Sequence, residues 1–150
     1  AKLLSDAAGN TVSSNSSINV TRSNDDDRPT VLTVTSSTTD ATYGADDLIS
    51  IALKMSEVVT VTGTPQLTLE TGSTDSVIDY VSGSGTDTLL FKYTVQSDDA
   101  SNDLDYTSSS ALSFNDGIME DIAGNILILT LPDPGTSGSL SDSSQLQIIA

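Results

Sequence analysis

The 150-residue chain carries 21 carboxylates and 5 basic side chains but no His and no Cys, so its available chemistry is that of oxygen anions. The carboxylates are bunched. Asp25, Asp26 and Asp27 are consecutive and lead into Arg28-Pro29-Thr30-Val31. Pro29 fixes its own φ and pushes Arg28 toward extended backbone, so the stretch reads as an extended joint holding charges close together. A hard cation suits such a joint, because Ca2+ takes about six to eight oxygen ligands from carboxylates and carbonyls. A solvated acidic linker is the plainer reading of the same residues.

Three further groups have the same character. Asp46 and Asp47 open an alternating stretch whose far end carries Glu57. If that stretch is a straight strand, its residues at roughly 3.3 Å each span about 33 Å, so Asp47 and Glu57 do not share an ion. Glu57 then belongs to the opposite pole or to solvent. Asp99, Ser101, Asp103 and Asp105 offer oxygens at every second residue, as in the first half of a calcium loop. The central Gly and distal Glu of an EF-hand are missing, so that motif is excluded. The fourth group is the turn Asp6-Ala7-Ala8-Gly9-Asn10 with its copy Asp121-Ile122-Ala123-Gly124-Asn125. Gly in these turns permits left-handed backbone, which lets carbonyls and the Asp converge. The candidate ligands are therefore Asp6, Asp25, Asp26, Asp27, Asp47, Asp99, Asp103, Asp105, Asp121 and Asn125. Asp and Asn are also ordinary turn residues, which is the plainer alternative for each group.

The bulk composition narrows the function. A formal charge of −16 repels nucleic-acid phosphate and anionic membrane surfaces. It also disfavours the compact state, and bound divalent cations are the simplest offset, with salt adaptation as the alternative source of the acidity. Without His or Cys, a metal must be held by oxygen, which favours Ca2+, Mg2+ or Mn2+ over zinc or copper. General-base imidazole and thiolate nucleophile are excluded, so the chain is expected not to be an enzyme. No apolar run reaches the roughly 18 residues of a membrane helix. The opening Ala1-Lys2-Leu3-Leu4 is no signal peptide, and the chain reads as an excised piece of something longer.

The elements that must position these groups are strands. Ile49, Ile51, Leu53 and Met55 alternate with Ser50, Ala52, Lys54 and Ser56, the period of a half-buried strand. Similar alternation marks Val31–Val34, Leu67–Leu69, Val77–Val81 and Leu89–Val95. Turn residues recur roughly every 8–12 residues, and no stretch has helical period. The pattern predicts an all-β, antiparallel β-sandwich of roughly seven to nine strands. Pro132–Ser144 reads as loop and Leu146–Ile149 as the last strand.

The two Asp-x-Ala-Gly-Asn turns lie 115 positions apart, from Asp6 to Asp121, and each precedes residues able to form a final strand. This suggests a tandem array with a period somewhat over 100 residues. Residues 1–28 then read as the terminal strand of a preceding repeat plus an acidic calcium-binding linker, and residues 29–150 as one full repeat.

Here the residues resemble a family. Asp6-x-x-Gly9, a strand, then Asp26-Asp27-x-Pro29-x-Val31 is similar to the junction between cadherin repeats. The unit resembles still more the bacterial immunoglobulin-like repeats of giant surface adhesins. The resemblance is carried by Thr42-Tyr43-Gly44-Ala45-Asp46-Asp47-Leu48-Ile49-Ser50-Ile51 and Met55-Ser56-Glu57-Val58-Val59. It continues in Thr64-Pro65-Gln66-Leu67-Thr68-Leu69, Asp103-Leu104-Asp105-Tyr106 and Asp121-x-Ala123-Gly124-Asn125. Asp46 stands where such repeats often have Gly, and Met55 where Phe is usual. The resemblance implies an immunoglobulin-like or cadherin-like sandwich, secreted and displayed at the cell surface, binding Ca2+. Its expected partners are the neighbouring repeats of the same chain, with a host or surface ligand engaged through other domains. Nucleic acid and membrane insertion are not expected. A glycan- or protein-binding adhesion module is the alternative function; its only tyrosines would be Tyr43, Tyr80, Tyr93 and Tyr106.

Overall fold

The computed structural model describes residues 25–150 and, ahead of them, the backbone of two short paired strands, β1 (Ser5–Asp6) and β2 (Gly9–Asn10). The expected terminal strand around Ile18–Val20 lies outside the described residues. The chain is mostly β. Its main elements are β3 (Val31–Ser36), β4 (Ala41–Tyr43), β5 (Leu48–Thr62), β6 (Gln66–Leu69), β7 (Ser76–Ser82) and β8 (Thr86–Thr94). Shorter strands follow: β9 (Ala100–Ser101), β10 (Leu112–Ser113), β11 (Ile118–Glu120) and β12 (Leu146–Ile149).

One antiparallel sheet runs β10-β6-β7-β8-β5-β11, and β3 joins the same flank of β5 further along that strand. The 15-residue β5 is thus flanked in succession by two partners, and the sheet curls. A second, small sheet has the order β4-β12-β9, with β12 parallel to β4 and antiparallel to β9. The sequence expectation of an antiparallel, all-β fold holds at this level.

Period two sets the core. Along β5, Ile49, Ile51, Leu53, Met55 and Val59 are buried while Lys54 and Ser56 are exposed. On the adjacent strand β8, Tyr93, Phe91 and Leu89 pair directly with Ile49, Ile51 and Leu53 and extend the same apolar face, with Val95 just beyond. Phe91 meets Tyr80 edge-on, with ring centroids 6.1 Å apart. Met55 is fully enclosed and fills the same apolar row.

Two segments depart from the sequence reading. The apolar run Ile126–Leu131 makes only isolated bridges, to Glu120 and Thr30, because its backbone is shared between β11 and the joint ahead of β3. Within the expected loop, Leu140–Ser143 forms one helical turn, α1. Ser139 caps it by accepting from the Asp142 amide, and Leu140 is buried beneath it. Four residues are too few to give a helical period in sequence.

Candidate metal centre

Asp25 precedes the first strand of the large sheet, and its position is fixed by a neighbour 100 residues away. The Asn125 amide nitrogen donates to the Asp25 carbonyl at 2.9 Å. Arg28 donates through Nε to the Ile126 carbonyl at 2.7 Å and through Nη2 to that of Leu127. Ile128 N–H donates to Pro29 O, and Thr30 bridges Ile128 in parallel. On the other side Thr30 N–H donates to Ser56 Oγ at 2.9 Å, and Ser56 N–H to Thr30 O at 2.8 Å. The extended joint is therefore sewn to both the Asn125–Ile128 segment and the middle of β5.

Asp121 opens the turn after β11. Its Oδ1 accepts from the backbone amides of Ala123 (2.9 Å) and Asn125 (2.8 Å), and its Oδ2 from the Asn125 side chain (2.9 Å). The turn closes with Gly124 at φ +90°, a conformation that L side chains rarely adopt. Asn125 thus joins Asp121 and the Asp25 backbone through one amide group.

Glu57 completes the group. In β5 it falls on the inward row, between the buried Met55 and Val59, and is itself half-buried. Carboxylate oxygens of Asp25, Glu57 and Asp121 lie within 4.8 Å of one another. Burial, then the charges of Asp121, Asp25 and Asp27, push the Glu57 carboxyl above its ordinary pKa. Burial also works against the Asp121 charge, but hydrogen bonds from Asn125, Ala123 and Gly124 outweigh it and hold Asp121 below the usual carboxylate value. Among the described residues no Lys or Arg pairs with the three carboxylates; Arg28 is committed to carbonyls.

The donor set is all oxygen and anionic, so the cluster can hold a hard metal ion. Three carboxylates offer up to six oxygens, and hydrogen bonding leaves lone pairs free on Asp121.

The other candidates fall elsewhere. Asp26 and Asp27 are adjacent but exposed, outside the triad. The Asp6 side chain lies outside the described residues. Asp47 stands at the opposite end of β5, where its Oδ2 accepts from Gly44 N–H at 2.8 Å. Asp46 beside it has φ +72°, the left-handed backbone for which Gly is the usual residue. Asp99 and Asp105 are buried in separate hydrogen-bond sets. Asp99 Oδ2 accepts from Tyr93 OH (2.6 Å), Ser76 Oγ (3.0 Å) and Gln96 N–H (2.9 Å). Asp105 accepts from Tyr106 N–H (2.9 Å), Gly135 N–H (3.0 Å) and Ser141 Oγ (2.7 Å). Asp103 is exposed between them, its carboxyl pushed up by burial and by the charges of Asp105 and Asp40.

Glu57 is the member that the candidate set omitted. Its signal was its parity: a carboxylate on the same odd-numbered row as Ile49, Ile51, Leu53 and Met55 is carried inward and needs polar or charged partners there. Comparison of the chain with protein-family models, with curated proteins and with solved structures yields no match.

Proposed function

We propose that this chain is a calcium-rigidified structural repeat, an immunoglobulin-like or cadherin-like spacer in a long extracellular bacterial adhesin. The observation that carries the reading is the convergence of Asp25, Glu57 and Asp121, one from the joint ahead of the domain and two from the domain itself. Without a cation, three negative charges at this spacing repel and the joint is held by hydrogen bonds alone. A bound Ca2+ supplies the opposing charge and ties the joint to β5 and to the Asp121 turn. The repeated Asp-x-Ala-Gly-Asn turn supports a tandem array, in which each joint would be stiffened this way. Millimolar extracellular calcium suits sites with Kd of about 10⁻⁴–10⁻³ M.

Thermal unfolding in EGTA, in millimolar CaCl2 and in MgCl2 tests the reading. A Tm that climbs with calcium and much less with magnesium is the expected result. Identical melts in all three would remove the cation from the mechanism. A glycan array separates the spacer from an adhesion module, since a spacer binds nothing on it.

A further inference from the structure

We propose that Ile122 is a knob that seats in the pocket beside Ile149 of a second copy of this domain, so that copies meet end to end. Ile122 stands in the turn after β11 and is 95% exposed, the most exposed large apolar side chain among the described residues. The turn holds it firmly. Asp121 N–H donates to Asn125 O at 3.0 Å, Gly124 N–H to Asp121 O at 3.1 Å, and the Asp121 carboxylate takes the Ala123 and Asn125 amides. A tip fixed in this way loses little freedom when it is covered. The turn sequence itself does not call for Ile, since its copy at Asp6–Asn10 carries Ala7 in the same place.

The pocket lies elsewhere on the domain. Ala100, Ser101, Asn102, Ile148, Ile149 and Ala150 line about 290 Å³. Four of the six are Ala or Ile, and Ile149 is 62% exposed, so the pocket offers open aliphatic surface. Ala150 N–H donates to Asp99 O, and Val95 N–H to Asp47 O, which sets the pocket beside the start of β5. Ile122 follows Asp121, whose carboxylate lies within 4.8 Å of those of Asp25 and Glu57. From Leu48 to Glu57 the strand spans roughly 30 Å, so the knob and the pocket of one copy do not meet. A knob and a pocket set apart in this way make a heterologous contact, which propagates as a row of copies when it does not close into a ring.

The occupant is another copy because the spacing of a tandem array brings the two features together. Val20, the last residue of the expected terminal strand, precedes Asp25 by five positions. Five residues of extended chain reach at most about 18 Å. The last strand of one repeat is thus tethered close to the Asp25 joint of the next, and Ile122 flanks that joint. This placement rests on the array proposed above, whereas the contact itself needs only two copies. Charge opposes it, with Asp25–Asp27 at one end and Asp98 and Asp103 near the other, so the apolar contact is best seen when salt screens them.

Cross-linking tests the contact on the full chain, whose lack of native Cys makes single Cys sites unambiguous. One batch carries Ala123→Cys beside the knob and the other Asn102→Cys at the pocket, both at exposed positions. The mixture is oxidised in EGTA and high salt, and rates are normalised to the reactivity of each thiol with a small disulfide. The mixed dimer should form several-fold faster than when the second batch carries Thr64→Cys, in the turn between β5 and β6, instead. Ile122→Ser in the first batch should bring the rate down to that control without loss of fold, because the side chain stands in solvent. Equal rates for the Asn102→Cys and Thr64→Cys mixtures would overturn the contact. So would a rate that Ile122→Ser leaves unchanged. No calcium is present, so failure here is distinct from failure of the calcium melts: one would remove the knob contact and the other the cation.

Discussion

The two ends of β5 hold acids in opposite conditions. At the start of the strand, Asp99 receives three donors on one oxygen, and the nearby Asp105 receives three across its two. Each is complete as it stands. Past the middle of the strand, Asp25, Glu57 and Asp121 face one another, and Glu57 feels only burial and like charge. The contrast teaches that an acidic side chain in a domain core is explained by its donors where it has them. Glu57, which has burial and like charge but no donor, points to a ligand instead.

The sharpest way to break this comparison is at Asp99. Asp99→Ala leaves Tyr93 OH, Ser76 Oγ and Gln96 N–H without their shared acceptor. The cost should be about 3–4 kcal/mol, because buried donors are left unmade. Chemical denaturation should show the same loss in EGTA and in calcium. A loss that calcium repairs would make Asp99 a ligand and erase the distinction between the two ends.

Calcium itself should give the next largest effect. At a concentration of 100 Kd, binding to the native state alone adds about 2.7 kcal/mol. Glu57→Gln should remove most of that gain, and Asp47→Asn should leave it intact. Isothermal titration reads both. A Glu57→Gln protein that binds as tightly as its parent would shift the site away from β5.

Much of this was readable in the residues. Alternation gave the inward rows of β5 and β8 directly, and the length of β5 already separated Asp47 from Glu57. Asp25 and Asp121 were each legible as acids in special backbone, one ahead of Pro29 and one in a Gly turn. Their meeting was not legible, because it depends on Asn125–Ile128 pairing with the joint a hundred residues earlier, and nothing local encodes that contact. The fate of Asp99 and Asp105 was hidden for the same reason. Their alternating spacing resembled a calcium loop, but the donors from Tyr93, Ser76 and Ser141 come from other parts of the sequence.

Arg28 should have a smaller effect. Arg28→Ala removes the bonds to the Ile126 and Leu127 carbonyls and should cost about 1 kcal/mol. Hydrogen exchange at the Ile128 amide should quicken, and calcium affinity should fall because Asp25 is held less firmly. Unchanged exchange would mean that Asn125 and Thr30 fix the joint without it.

The smallest effect separates the members of the cluster by pH. The Glu57 carboxyl is raised above its ordinary 4.5, so the native state holds that proton more tightly than the unfolded chain does. Its charge therefore destabilises the fold at neutral pH. The penalty is relieved as pH falls through the raised folded value and is gone below 4.5. Asp121 is lowered from 3.8 and behaves in the opposite sense. Its stabilisation is present above 3.8 and is lost as pH falls through the lower folded value. In EGTA at pH 7, Glu57→Gln should be more stable than the parent by less than about 1 kcal/mol, since the site is partly open to solvent. The difference should shrink on acidification toward 4.5, before Asp121 begins to titrate. Denaturation midpoints across that range measure it. A Glu57→Gln protein less stable than its parent at pH 7 would mean that the Glu57 charge is already satisfied without a cation, as those of Asp99 and Asp105 are.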